Sequence, residues 1–192
     1  MKPSILATLS ACLLSACFVA TCFVALTSCS GEQKGKVSAG AEAGNRVFVI
    51  HPHEQVPEEA EGCTTVFLAG TIDMGNGIDW QAEAVRILEQ SGGRYLVFNP
   101  RQKEWHPERE GEMDYQVNWE LEHLEKADII LMNFLPDSKS PITLLELGLF
   151  AGGGKLRVIC PEQFYRYDNV RITCGRYGVP MFDSISSALE KL

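Results

Sequence analysis

Asp128-Ile-Ile-Leu-Met-Asn-Phe134, then Leu135-Pro-Asp137, then Ser140-Pro-Ile-Thr-Leu-Leu-Glu-Leu-Gly-Leu-Phe-Ala-Gly152 form the stretch on which the fold is read. A short apolar run bounded by turn residues predicts a buried strand. Ser140 at an N-cap, with Pro141 at the first helical position, predicts that a helix follows. Glu146 is the only ionisable side chain between Lys139 and Lys155. Leu144, Leu145, Leu147, Leu149 and Phe150 surround it, so the helix is apolar on nearly every face and is expected inside the domain. A carboxylate there is costly unless it is paired or reaches a cleft. Glu146 falls in the second turn, near the positive end of the helix dipole, with Gly148 and Ala151 small beside it. This pattern reads as an acid aimed into a pocket. The alternative is a core Glu hydrogen-bonded to neighbouring backbone.

Strands and helices alternate on either side of this stretch. Arg46-Val-Phe-Val-Ile50, Thr64–Ala69, Tyr95–Phe98, Leu156–Cys160 and Val179–Phe182 read as strands. Asp79 caps a helix with Ala82, Val85 and Leu88 inward, stopped by Gly92-Gly93. Tyr115–Lys126 is amphipathic with Val117, Leu121 and Leu124 inward, and a last helix runs from Ile185 to Leu192. The alternation predicts an α/β three-layer sandwich around a mostly parallel five-stranded sheet. Ligands of such sheets sit beyond the carboxyl ends of the strands. The loops Gly70–Gly77, Asn99–Arg101 and Leu135–Asp137 are therefore expected to converge with Glu146 on one crevice.

Residues 1–28 carry one charge, Lys2, and an apolar run from Ile5 to Leu26. They read as a secretory signal and are set aside from the fold. The signal ends Leu26-Thr27-Ser28-Cys29, similar to a bacterial lipoprotein box with Cys29 acylated, for example with palmitate. Leu14-Ser-Ala-Cys17 fits the same box, but apolar sequence continues after it. An uncleaved membrane helix is the competing reading, since the apolar run is roughly long enough to span a bilayer. Either way the folded part is expected outside the cytoplasm, in the cell envelope and tethered to a membrane. Residues 29–45 read as a flexible spacer and residues 46–192 as one domain.

The net charge is −8, and the one charge in the signal is positive, leaving −9 beyond it. So acidic a chain disfavours polymeric nucleic acid, which needs basic patches. Cys63, Cys160 and Cys174 show no CxxC or Cys/His spacing, so no metal site is expected; the thiols are expected to be free and mostly buried, with a Cys160–Cys174 disulfide as the alternative in an oxidising compartment. No organic cofactor is indicated.

Phe67-Leu-Ala-Gly-Thr71, Asp79-Trp80-Gln81, Asn99-Pro-Arg101, Asn118-Trp-Glu120, Ala127-Asp128 and Leu145-Glu-Leu-Gly148 follow in order. With these motifs the chain resembles the nucleoside 2-deoxyribosyltransferase superfamily, over roughly residues 64–190. The resemblance implies a flavodoxin-like, Rossmann-like fold, a nucleoside or nucleobase as partner, and a homo-oligomer. It also implies cleavage of the bond between a base and 2-deoxyribose, with the sugar passed to another base or to water. Glu146 stands at the family's nucleophile position and Glu120 at the position of a second carboxylate.

N-glycosides break through an oxocarbenium-like transition state, which a carboxylate can stabilise and then trap as a sugar ester. The departing base needs a proton, for which Asp137 and Asp79 are candidates. Glu120 has a competing reading as a surface acid paired with Lys126. Gly70 and Thr71 let a ligand approach the backbone. Trp80 is either a stacking platform for a base or a core anchor. Asn99 either bonds a base edge or sugar hydroxyl or simply starts a turn, and Arg101 is a candidate ligand contact on the opposite side. Where many family members have a Tyr on the first matched strand, this chain has Phe67 or Leu68. Ser140 and Thr143 fill the region where an acid often precedes the nucleophile. The rival function is a non-catalytic surface lipoprotein that captures a nucleoside or sugar.

Overall fold

In the computed structural model, residues 46–72, 78–190 and 192 are described. The expected signal, Cys29 and the spacer lie outside them. Runs of β-branched, aromatic and other apolar residues, the central ones buried on both faces, build six strands: β1 (Arg46–Ile50), β2 (Thr64–Gly70), β3 (Arg94–Phe98), β4 (Ile129–Asn133), β5 (Leu156–Ile159) and β6 (Met181–Phe182). They form one sheet of order β1-β3-β2-β4-β5-β6, and every pairing is parallel. The expected count of five is thus corrected to six. With β1 set aside, the other five follow the flavodoxin order 2-1-3-4-5. β1 adds a strand outside β3, pairing Val49 with Val97.

Helices α1 (Trp80–Gln90), α2 (Glu112–Lys126), α3 (Pro141–Phe150), α4 (Tyr167–Tyr177) and α5 (Ile185–Leu189) cover both faces. Successive strand residues point to opposite faces, so each strand feeds two cores. Val66, Leu68, Val97 and Leu131 pack under Trp80, Ala84 and Leu88 of α1 and Ile185 and Leu189 of α5. Phe67, Phe98, Ile130 and Met132 pack under Trp119 and Leu124 of α2, Leu147 of α3, and Val170 and Cys174 of α4. Each fully buried large side chain of this kind stabilises the fold by roughly 1.5–3 kcal/mol.

Four local expectations are corrected. On α1, Ala84 rather than Ala82 is inward. On α2, Val117 and Leu121 are exposed, and Glu112, Gln116, Trp119 and Leu124 turn inward. The inward N-terminal half of that helix is held by hydrogen bonds of Glu112 and Gln116 to Gln102 and Pro100 rather than by apolar packing. On α3 only Thr143, Glu146 and Leu147 are buried, while Ile142, Leu145 and Leu149 stand 57–59 % exposed. The last helix ends at Leu189 rather than Leu192. Helix α4 was not anticipated; its sequence is polar, with Val170 and Cys174 its buried residues. Cys63, Cys160 and Cys174 are free thiols. No helix among the described residues is long and apolar enough to cross a membrane.

Candidate active site

The chain leaves β2 toward β3 on one side, whereas it leaves β4 toward β5 on the other. The crevice between their carboxyl ends is the switch point where sheets of this kind hold ligands. Gly70 ends β2 at φ 144°, and a Cβ there would lie 2.3 Å from the Asn133 carbonyl oxygen and 2.9 Å from the Trp80 ring. The missing side chain therefore admits protein backbone and an indole. Thr71 N–H donates to Asn133 O at 3.0 Å. The Thr71 hydroxyl meets Ser138 Oγ at 3.0 Å and Ser140 Oγ at 2.6 Å, and accepts from Leu135 N–H at 3.2 Å. This hydroxyl cluster fixes the start of α3. Ser140 does not cap the helix as expected, because it sits at φ 40° with its hydroxyl drawn into the cluster.

Thus fixed, α3 places Glu146 in its second turn, 7 % exposed. No hydrogen bond or ion pair reaches its carboxyl group among the described residues. Burial, reinforced by the nearby charge of Glu120, pushes its pKa up to about 8. Burial also raises Glu120, although Gln116 Nε2 donates to it at 2.7 Å and pulls the other way. The surface pairing considered for Glu120 is not formed, since Lys126 pairs with Glu122 instead.

A chain of amides ties Glu120 to the loop after β3. Gln116 Nε2 also donates to Pro100 O at 3.0 Å, and Gln102 Nε2 donates to Gln116 Oε1 at 2.7 Å and to Glu112 Oε1 at 2.9 Å. Glu112 Oε1 lies 2.9 Å from His53 Nε2, whose ring stacks on Tyr115 with centroids 4.0 Å apart. Asn99 starts the turn in the ordinary way, its Oδ1 accepting from Arg101 N–H at 3.1 Å. His51 Nδ1 donates to Arg101 O at 2.8 Å.

Glu146 and Glu120 are thus within electrostatic reach of each other, with Asn99 and Arg101 on the loop that holds Gln116. Asp79 is the exposed cap of α1, accepting from Ala82 N–H at 3.1 Å. Trp80 is core, 2 % exposed, with its indole N–H bonded to Thr71 O at 2.8 Å, so the packing reading holds over base stacking. Asp137 is exposed in the turn before α3, and no contact ties it to Glu146. Asp128 binds Thr65 at the start of the sheet, a structural role.

Sequence reasoning missed Gln116, Gln102 and Gln81. Gln116 precedes Glu120 by one helical turn, a spacing at which side chains meet, and that was the available signal. The concavity between α3 and α4, lined by Leu144, Leu147, Gly148, Arg166, Asn169 and Thr173, presents no carboxylate. Among the described residues no group of His, Cys, Asp and Glu is arranged to hold a metal ion.

The sequence profile described as "Nucleoside 2-deoxyribosyltransferase like" matches residues 63–164, a span that includes Glu120 and Glu146. The chain belongs to this family. Among solved structures, the nucleoside 2-deoxyribosyltransferase-like chain is similar to a 2-deoxyribosyltransferase from Bacillus psychrosaccharolyticus, at 19 % identity and TM-score 0.51. That alignment covers 67 % of this chain and 92 % of the other. A conserved protein from Enterococcus faecalis V583 aligns at 13 % identity and TM-score 0.52, covering 67 % of this chain and 96 % of that one. At such identities the likeness is one of fold. No curated protein matches the chain in sequence.

Proposed function

We propose that the protein cleaves the N-glycosidic bond of deoxynucleosides, with Glu146 as nucleophile and transfer of the sugar to another base or to water. The observation that carries this reading is a buried carboxyl group with no partner among the described residues, on the family's Leu-Glu-Leu-Gly stretch, within electrostatic reach of a second acid. An unpartnered buried acid destabilises the fold, and strongly perturbed acids cluster at functional sites.

At neutral pH Glu146 is mostly protonated, given a pKa of about 8. Positive charge growing on the anomeric carbon favours its ionised form. The ionised form reacts, its proton having passed to water: as the bond from C1 to the base nitrogen breaks, its electron pair leaves with the base, which takes a proton from water, and a Glu146 carboxylate oxygen bonds C1. A second base or water then attacks C1, gives up its proton to solvent and releases Glu146 as a carboxylate. Burial first and then the Glu120 charge raise the proton affinity of Glu146, and Gln116 hydrogen-bonds Glu120.

The rival reading, a nucleoside- or sugar-binding protein without turnover, draws on the same protonated state, since a neutral Glu146 can donate a hydrogen bond to a sugar oxygen. Incubation with thymidine or deoxyadenosine, with and without cytosine, separates the two by chromatography of the free base. Product that disappears in Glu146→Gln supports the enzyme; saturable binding with no product supports the binder. We further propose that Cys29 anchors the domain to a bacterial envelope membrane, and that the protein is a homo-oligomer.

A further inference from the structure

Gln81 and Arg101 hold two donors for which the described residues supply no acceptor. Gln81, in the first turn of α1, is wholly buried, and its Nε2 has no partner among the described residues. Its Oε1 accepts from Arg101 Nη2 at 3.4 Å. The Arg101 Nε is likewise buried and without a hydrogen-bond partner, the nearest carboxylate being Asp79 Oδ1 at 3.8 Å. Buried donors left unmade are costly and are rare in native folds, so two that adjoin each other call for an acceptor that the described residues do not provide. They lie where α1 begins after β2 and where the loop leaves β3, at the carboxyl ends of strands flanking the switch point. Arg101, whose side chain is 18 % exposed, is the member of the pair that solvent can reach.

We infer that Gln81 and Arg101 form the subsite for the departing base and select bases with a ring carbonyl; this rests on the glycosidic reading of Glu146. Asp79 offsets part of the Arg101 charge. A dianionic phosphate is disfavoured there, and a neutral base that gains negative charge only as it leaves is favoured. When the C1–N bond breaks, its electron pair passes to the base nitrogen and spreads onto the carbonyl oxygen. Guanidinium and amide donors stabilise that charge, and the freed base takes its proton from water. Adenine has no carbonyl oxygen onto which that charge can spread, and each of its ring nitrogens accepts only one such bond.

The test uses the full chain and compares deoxyinosine, deoxyuridine and thymidine with deoxyadenosine. The wild type is expected to favour the best oxo nucleoside over deoxyadenosine by about 30-fold in kcat/KM. Gln81→Leu and the shape-preserving Gln81→Glu are expected to bring that ratio to within about threefold, with the fold monitored by Tm. Calorimetric binding of free hypoxanthine, uracil and adenine to Glu146→Gln reads the same preference without turnover. A preference for oxo bases that Gln81→Glu abolishes, in binding as in kinetics, supports the subsite. Equal use of all nucleosides by the wild type, or a ratio that both Gln81 variants leave unchanged, overturns it; a donor pair that serves only a buried water gives the latter. If oxo bases bind in a Gln81-dependent way but no nucleoside is cleaved, the subsite stands and the glycosidic reading falls.

Discussion

Glu112 and Glu146 are equally withdrawn from solvent, each 7 % exposed, on neighbouring helices of one face of the sheet. They titrate in opposite directions. His53, then Gln102, hydrogen-bond Glu112 and hold its pKa below the ordinary carboxylate value. Glu146 has no such partner among the described residues, and burial with the Glu120 charge lifts it to about 8. Similar surface exposure thus gives a structural acid in one place and a poised one in the other. What separates them is partnership together with the deeper desolvation of Glu146. A fold tolerates the first because it is satisfied, whereas the second persists at a cost that function has to justify.

Several experiments can break this contrast. The largest effect is expected from Glu146→Gln, which should lower kcat at least ~10³-fold by removing the nucleophile. The same variant should be more stable than wild type at pH 8–9. Because the folded pKa of Glu146 lies above its unfolded value, its contribution is most favourable below about pH 4.5 and is lost as pH rises to about 8. Denaturant titration should show a gain on the order of 2–4 kcal/mol in alkali that vanishes in acid. Glu112→Gln should behave oppositely. Its depressed pKa stabilises the fold above the carboxylate range, so Tm should fall at pH 7 and the difference should close as pH drops through the folded pKa.

Backbone strain offers an intermediate effect. Gly70→Ala places a Cβ against Asn133 O at a φ that L-residues avoid, and should destabilise by roughly 2–4 kcal/mol in urea titration. A smaller effect follows from electrostatics. The free-enzyme profile of kcat/KM should rise with pH toward an apparent pKa near 8, and Glu120→Gln should shift that limb to lower pH, since Glu120's charge raises Glu146. The smallest effect on activity belongs to Cys29→Ala, which should move the protein from the membrane fraction to the soluble one and leave kcat unchanged.

The sequence made the strand–loop–helix unit around Glu146 readable because its apolar run, turn residues and Pro141 all agree. It could not show that β1 joins the sheet, since a five-residue apolar run carries no record of its pairing partner. Helix α4 escaped notice because it contacts the core through few residues. Glu146 stood out by the absence of other charge nearby, a property of the sequence alone. The network around Glu120 did not, because Gln102 and Gln116 meet only after β3 and α2 have packed. Trp80 shows the limit from the other side: an aromatic beside a pocket motif read equally as ligand or core, and the bond from its indole to Thr71 O decides for core.

The account turns on whether Glu146 bonds the sugar, and acid-quenched mass spectrometry of the full chain during deoxynucleoside turnover tests this directly. A deoxyribosyl adduct on the peptide that carries Glu146, absent from Glu146→Gln, is the predicted result. Turnover that continues in Glu146→Gln, or an adduct on another residue, would contradict it.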